Sequence, residues 1–147
     1  MQIEIGRGLG KILFGMTEPE IYQVLGKPDK IYIEEDEDGK DTDLQYFQHQ
    51  IVLKIEHDND QRLGWIEVHN KNIHFPWCNP WLLDRVELLI NMTEMLGEEC
   101  ILEDYGHMEC YFFEENWVEL QFCLGELKCI NLGVFYGDND VTLWPTL

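Results

Sequence analysis

Serine is missing from this chain of 147 residues, and basic side chains are scarce. Without serine, nucleophilic catalysis would have to use a cysteine with a histidine. No phosphate-binding loop of the form GxxxxGK[ST] or GxGxxG occurs. The first residues show no basic segment followed by an apolar one, as a signal peptide would, and no apolar run approaches the roughly 20 residues that cross a bilayer. We therefore expect a soluble, cytoplasmic protein of one domain.

The number and spacing of the cysteines agree with the expected cytoplasmic location. The chain has five cysteines, an odd number, and no two of them form a CxxC pair. Several stand between apolar residues, as Cys123 does between Phe122 and Leu124. Buried free thiols in a reducing compartment explain this pattern better than a disulfide framework does.

Acidic residues dominate the charge, with 29 Asp and Glu against 10 Lys and Arg and a formal net charge of −19. Such a field repels the phosphates of nucleic acids and anionic membranes, and it attracts basic surfaces. We expect a basic protein partner and neither nucleic acid nor membrane as a partner. Solubility alone is the alternative explanation, because charge of this kind concerns association and not fold.

A short helix is indicated at residues 18–25. Thr17 and Glu20 have the spacing of a capping box, in which each side chain bonds the other residue's backbone amide. Pro19 lies in the first turn, where its missing N–H costs nothing. Gly26 suits the left-handed position that ends a helix, and Pro28 blocks continuation.

Strand signals fill much of the remaining chain, since apolar and polar residues alternate over 51–55 and 118–122. The acidic run at 34–43 is too charged to be buried and predicts a solvated hairpin loop. Asn79 and Pro80 are a suitable N-cap and first residue for a second helix. That helix is expected to run to Gly97, with a break near Asn91.

The two halves of the sequence resemble each other. Val24-Leu25-Gly26 recurs as Met95-Leu96-Gly97, and the alternation over 51–55 recurs over 118–122. A duplication with pseudo-repeats at about 1–72 and 73–147 is therefore predicted. The predicted fold class is α+β, with an antiparallel sheet, helices on one face and two tandem helix-plus-strands repeats. The other face of the sheet would be free for a partner.

The segment from Gly15 to Asp29, followed by strands, resembles the module of the β-lactamase-inhibitor-protein-like and SmpA/OmlA-like proteins. Two such modules in tandem resemble the arrangement of the β-lactamase inhibitor protein. The resemblance implies a helix on an antiparallel sheet whose exposed face binds another protein. The chain is also similar in style to the acidic immunity proteins of bacterial toxins.

Residues that could carry chemistry are few. His107 and Cys110 have a spacing that zinc tolerates, and His69, His74 and Cys78 are close in sequence, but no set of four converging ligands is evident. The register of the acidic run does not match a calcium loop. We expect no cofactor, no metal and no catalytic residue, and hence not an enzyme. A thiol- or zinc-dependent enzyme is the less favoured alternative.

Binding is the predicted function, in the form of an inhibitor or immunity protein that neutralises a basic bacterial toxin, with a nuclease as one candidate target. Strand aromatics that alternate out of phase with the aliphatic residues would face outward beside acids, as in protein-binding surfaces. The alternative is a structural or homo-oligomeric module, with a homodimer possible. The predicted partner-binding residues are Glu34, Glu35, Asp36, Glu37, Asp38, Asp41, Asp43, Trp65, Glu67, Trp117 and Glu119.

Overall fold

A computed structural model describes residues 1–146. Five very short strands lie near the ends of the chain. They are β1 (Ile3–Glu4), β2 (Gly8–Leu9) and β3 (Ile12–Leu13), which form one small sheet, and β12 (Phe135–Tyr136) and β13 (Thr142–Leu143), which form another. The long strands are β4 (Lys30–Glu35), β5 (Lys40–Tyr46), β6 (Ile51–Glu56), β7 (Arg62–Val68), β8 (Ile101–Asp104), β9 (Met108–Phe113), β10 (Val118–Cys123) and β11 (Glu126–Gly133). The two α-helices of the described part are α1 (Glu18–Leu25) and α2 (Arg85–Leu96).

The eight long strands form one antiparallel sheet in the order β4-β5-β6-β7-β11-β10-β9-β8. Strands that follow one another in sequence pair as hairpins on each side of the sheet. The exception is the centre, where β7 pairs with β11 and places Ile66 opposite Leu132. The outermost strands, β4 and β8, are therefore the two edges of the sheet.

One face of the sheet holds the core. Because side chains alternate along a strand, Leu53 and Ile55 point to the same side, and Leu120 and Phe122 of β10 do so as well; all four are buried. Ile21 of α1 and the α2 residues Leu88 and Met92 are buried in the same cluster. Each fully buried aliphatic side chain contributes on the order of 1.5–3 kcal/mol through loss of contact with water.

Helix α1 has the predicted bounds. The Glu20 carboxylate accepts hydrogen bonds from the Thr17 amide at 3.1 Å and from the Thr17 hydroxyl at 2.9 Å. These bonds hold the first turn, where backbone amides otherwise lack partners. At the other end, the Gly26 amide donates to the Tyr22 carbonyl at 2.8 Å, and Gly26 has a positive φ of 79°.

The second helix begins later than predicted. Asn79 accepts from the Trp81 amide at 3.1 Å, but it caps only a 3-10 turn at Pro80–Leu82. The N-cap of α2 is Asp84, which accepts from the Glu87 amide at 2.9 Å. No break occurs at Asn91, whose side-chain oxygen instead accepts from Trp77 Nε1 at 2.9 Å.

The predicted fold class is wrong. The protein is mostly β, with 44% strand and 20% helix, and its main feature is one large eight-stranded antiparallel sheet and not two tandem helix-plus-strands repeats with helices on one face. The helical share is small because α1 and α2 have only 8 and 12 residues. Sequence similarity between amphipathic strands had suggested repeated units where the structure has one continuous sheet.

The prediction of a ten-residue acidic loop is also wrong. Glu34 and Glu35 belong to β4, and Lys40 to Asp43 belong to β5, so only residues 36–39 turn. Asp36 stabilises this short turn by accepting from the Asp38 and Gly39 amides at 2.9 and 3.0 Å. Because β4 is an edge strand, Glu34 and Glu35 stay in contact with water, whereas Asp41 and Asp43 of β5 are half-buried.

Across residues 1–146, no helix has the length and apolar character needed to cross a membrane. The five cysteines are free thiols, as predicted, but only Cys110 and Cys129 are buried, while Cys78, Cys100 and Cys123 are half-buried.

Replacement of Leu120 by alanine should lower the free energy of unfolding by ~2–5 kcal/mol, because the side chain is fully buried on β10 and its loss leaves a cavity. Leu82→Ala is the matched control, since Leu82 is 80% exposed and should change stability by no more than ~0.5 kcal/mol. Urea unfolding of the three proteins measures both values. Equal effects of the two substitutions would contradict this assignment of the core face.

Candidate functional site: an acidic cleft on the open sheet face

The sheet face opposite the core carries a concave site that we call the acidic cleft. Its volume is about 470 Å³. Strands β4, β5, β6, β7, β10 and β11 each supply at least one side chain, because the residues that alternate with the core residues point to this face. The lining residues are Glu34, Asp41, Asp43, Lys54, Glu56, Trp65, Glu67, Gln121 and Asn131.

Lys54 is the cation of the acidic cleft. Its Nζ lies 3.1 Å from Glu67 Oε1 and 4.0 Å from Asp43 Oδ2. Burial by itself would lower the pKa of Lys54, but the carboxylates of Glu67, Asp43 and Glu56 together outweigh that effect and the pKa is raised. Lys54 therefore stays charged and neutralises part of the cleft, while the remaining carboxylates give it a net negative charge.

Two carboxylates of the acidic cleft are held in an unfavourable environment. Partial burial raises the pKa of Asp43, and the neighbouring Glu67 and Glu34 add to the rise against the opposing effect of Lys54. Burial also raises the pKa of Glu56, with contributions from Asp58 and Asp41. Ionisation of these groups therefore opposes folding, and a cation from outside the chain would relieve the repulsion.

The far wall of the acidic cleft is a hydrogen-bonded network on β10 and β11. Asn131 Nδ2 and Gln121 Nε2 donate to the same oxygen, Oε1 of Glu119, at 2.9 and 2.7 Å. Cys129 Sγ donates to Asn131 Oδ1 at 3.4 Å. These contacts fix the amide groups that face the cleft, so this wall is ordered before any partner arrives.

An aromatic cluster adjoins the acidic cleft. The rings of Trp65 and Trp117 meet edge to face with centroids 6.3 Å apart, and Trp117 also packs against Phe112 at 5.7 Å and Tyr136 at 5.2 Å. The four side chains are half-buried. The rings of Trp65 and Trp117 can approach β11 because position 133 is glycine. A Cβ at this position would lie 2.8 Å from Trp117 Cε3 and 3.0 Å from Trp65 Cε3.

Trp117 has a backbone conformation that is rare for a bulky residue. Its φ is 51°, in the left-handed region. The turn before it is held by Glu98, whose carboxylate accepts from the amides of Glu115 at 2.8 Å and Asn116 at 3.2 Å. Left-handed geometry costs a non-glycine residue roughly 1–2 kcal/mol, so the contacts of this turn maintain an orientation that the backbone would not adopt freely.

Asp41, His57 and Asp58 form a group at the rim that could hold a metal ion, since their ligand atoms lie within 4.8 Å of one another. His57 Nδ1 lies 2.7 Å from Asp41 Oδ1, and this hydrogen bond raises the pKa of His57. The Asp41 carboxylate also accepts from the His57 amide, which lowers the pKa of Asp41. Asp41 and His57 are therefore held together by two hydrogen bonds, one through the His57 ring and one through its backbone amide.

His69 lies beside the cleft at the end of β7. Its Nε2 is 3.8 Å from Cys129 Sγ and 3.4 Å from Glu67 Oε2. The contact with Cys129 and then the contact with Glu67 raise the pKa of His69 to about 10. One ring nitrogen makes both contacts, unlike a catalytic triad, in which the two ring nitrogens contact different groups.

The structure brings together five of the predicted binding residues, since Glu34, Asp41, Asp43, Trp65 and Glu67 line the acidic cleft. Glu119 orients the far wall and Trp117 packs against Trp65, so both adjoin the cleft. The four others lie apart from the lining, and they are Glu35 on β4 and Asp36, Glu37 and Asp38 in the turn.

Sequence reasoning missed four lining residues, Lys54, Glu56, Gln121 and Asn131. The alternation of Lys54 and Glu56 with buried Leu53 and Ile55 was a usable signal. Asn131 stands inside an apolar run and is buried itself, so only the pairing of β11 with β7 reveals that it faces the cleft.

The thiols of Cys78, Cys100 and Cys110 have pKa values raised by burial. A raised pKa leaves less thiolate, the nucleophilic form, at neutral pH. His107 and Cys110, the pair with zinc-like spacing, do not belong to any group of three potential metal ligands found among residues 1–146.

The fold and the site define a mostly β protein whose large antiparallel sheet presents an acidic, aromatic-bordered face. Comparison with protein-family models, curated proteins and solved structures finds no match to this chain. The resemblance to inhibitor-protein modules therefore stays a prediction from sequence.

Gly133→Ala should lower the free energy of unfolding by ~1–3 kcal/mol, because the added methyl group overlaps the rings of Trp65 and Trp117. The tryptophan near-UV circular dichroism should weaken as the edge-to-face pair separates. Gly137→Ala is the control, because the atoms nearest its Cβ would belong to the exposed side chain of Leu143, at 3.2 Å. An unchanged spectrum with unchanged stability for Gly133→Ala would contradict the close approach described.

His69→Gln should reduce stability in a pH-dependent way. The pKa of His69 is raised in the folded protein from 6.5 to about 10, so its protonation stabilises the fold fully below pH 6.5, and this stabilisation is lost as the pH rises through about 10. The difference from the parent chain should be under ~1 kcal/mol, because the imidazole is 45% exposed. Urea unfolding at several pH values measures it, and a difference that does not shrink toward pH 10 would refute the pairing.

Proposed function

We propose that this chain is an acidic protein-binding module of the inhibitor or immunity type, and that the acidic cleft binds a basic surface of a bacterial toxin domain. The observation that carries the proposal is the concentration of five carboxylates around one lysine in a concave site. A lysine or arginine of the partner would pair with the carboxylates that Lys54 leaves unneutralised.

Strain and repulsion at the site support this proposal. The raised pKa values of Asp43 and Glu56 mean that their charged forms reduce stability. Residues kept at a cost to stability are typical of functional sites. The left-handed backbone of Trp117 is a second local cost in the same region.

The aromatic cluster would add apolar contact with a partner, which charge alone does not provide. Tryptophan and tyrosine are enriched among the residues that dominate binding energy at interfaces, where the partner removes them from water. Trp65 lines the acidic cleft and Trp117 packs against Trp65, and a partner seated on the cleft would cover both rings. Carboxylates would guide a cationic partner to the face, and the rings would provide the apolar contact.

A nuclease is the kind of target that fits this face. A protein that binds nucleic acid carries a basic groove, and carboxylates spaced over several strands can occupy phosphate positions in such a groove. The formal net charge of −19 favours rapid association with such a partner.

The test uses a decaarginine peptide as a probe and the product of the adjacent gene as the candidate toxin. Asp43→Asn/Glu56→Gln should weaken binding of each by at least about fivefold, on the order of 1 kcal/mol, because two cleft charges are lost. The same variant should be more stable than the parent chain, since the raised pKa values show that ionisation of these two groups opposes folding. Calorimetric titration and urea unfolding provide the two measurements.

Glu94→Gln/Glu114→Gln is the matched control, because it removes the same charge from two exposed residues away from the cleft. Equal weakening by both variants would show that binding follows net charge and not the cleft. An adjacent gene product that is basic but fails to bind the parent chain would contradict the inhibitor role.

A further inference from the structure

Strand β4 is an open edge of the sheet with an unusual composition. All six of its residues, Lys30 to Glu35, are exposed. Ile31, Tyr32 and Ile33 are 45%, 51% and 49% exposed. An edge strand with apolar side chains and free backbone groups is a template for pairing with another strand.

The free backbone groups of β4 can be assigned. Asp36 donates its amide to Gly39 across the hairpin at 3.0 Å. In an antiparallel ladder, amides alternate between the two sides of a strand. The amides of Glu34 and Tyr32 therefore point to β5, and those of Ile31 and Ile33 point out of the sheet.

We propose that β4 pairs antiparallel with β4 of a second copy of this chain, so that two sheets join across a two-fold axis at Tyr32. In such a pair, opposed side chains lie on the same face. The register places Lys30 opposite Glu34 of the second copy, Ile31 opposite Ile33, and Tyr32 opposite itself. The strand is thus complementary to itself in both charge and apolar character.

A neighbouring register of β4 and self-pairing of β8 both match less well. If the register moves by one residue in each copy, Ile31 faces Glu35 and Tyr32 faces Glu34. The opposite edge, β8, is less complementary to itself. A pair centred on Glu103 places two carboxylates directly opposite each other, which destabilises a sheet, and a pair centred on Leu102 places Ile101 opposite Glu103.

The second copy would also contribute to the acidic cleft. Glu34 lines the cleft, and pairing would bring Lys30 of the second copy next to it. The dimer goes beyond the proposed function and does not depend on it, because it requires no other protein. It also explains why a strand with three large exposed apolar residues is kept at the border of a highly charged surface.

Analytical ultracentrifugation of the full chain tests the pairing. We expect a concentration-dependent dimer at about 0.15 M salt, where the Debye length of about 8 Å screens distant repulsion but not contacting pairs. Lys30→Glu and Glu34→Lys should each weaken the dimer by about tenfold or more, because two opposite-charge pairs become like-charge pairs. Lys30→Glu/Glu34→Lys should restore it, since the pairs re-form with exchanged partners.

Lys11→Glu is the control of equal charge change, at an exposed position away from β4. A parent chain that stays monomeric at every concentration would overturn the proposal. A dimer that Lys30→Glu leaves unchanged, or that the double variant does not restore, would also overturn it. These results leave the acidic-cleft proposal intact, because its test uses Asp43 and Glu56.

Cross-linking tests the register. Tyr32 would be a non-hydrogen-bonded pair with its own copy, with Cα atoms about 4.5 Å apart, which a disulfide can span. Tyr32→Cys should form an intermolecular disulfide under mild oxidation, identified by mass spectrometry of the linked peptide. Ile33→Cys is equally exposed but about 7–8 Å from its copy, so it should not cross-link. Equal cross-linking of both variants, or of neither, would contradict the register.

Discussion

The pairing of β7 with β11 is the contact on which the large sheet depends. These strands are more than fifty residues apart in the sequence, yet they join the two runs of hairpins at the centre of the sheet. Ile66 lies opposite Leu132 on the core side. A change of register by one residue would turn every core side chain of a strand toward water, so burial on one face fixes the pairing.

The same register assembles the open face. Glu67 lies opposite Asn131, and Trp65 lies opposite Gly133. The first pair sets the acidic side of the cleft against its hydrogen-bonded wall. The second pair leaves space above a glycine, where Trp117 can meet Trp65. A single set of backbone pairings therefore positions charge, amide groups and aromatic rings together.

Charge on this face acts against folding, and in the proposed function it would favour association with a basic partner. Burial, together with the neighbouring carboxylates, raises the pKa of Asp43 against the opposing effect of Lys54. In water this costs stability, and next to a cationic surface it becomes attraction. At the β4 edge, charge would likewise favour association, because Lys30 and Glu34 of one copy would lie opposite Glu34 and Lys30 of the second copy in the proposed dimer.

Local signals were sufficient for part of the structure. The spacing of Thr17, Glu20 and Gly26 specified α1, because caps act between neighbours in the chain. Alternation identified most of the long strands and the core side of β6 and β10. The start of α2 was misplaced, since Asn79 and Asp84 are both competent caps and only packing decides which of them begins the helix.

Fold class and site required contacts between distant residues. The repeated strand patterns suggested two units, whereas the structure has one eight-stranded sheet with little helix. Trp65 and Glu67 could be assigned to an outward face from alternation, but the sequence does not show that Asn131 and Glu119 would lie beside them. The sequence by itself determined the charge, the free thiols, the first helix and the alternation of the strands. Only the tertiary structure decided which strands are neighbours, because strand order depends on burial and backbone pairing over long separations and not on local preference.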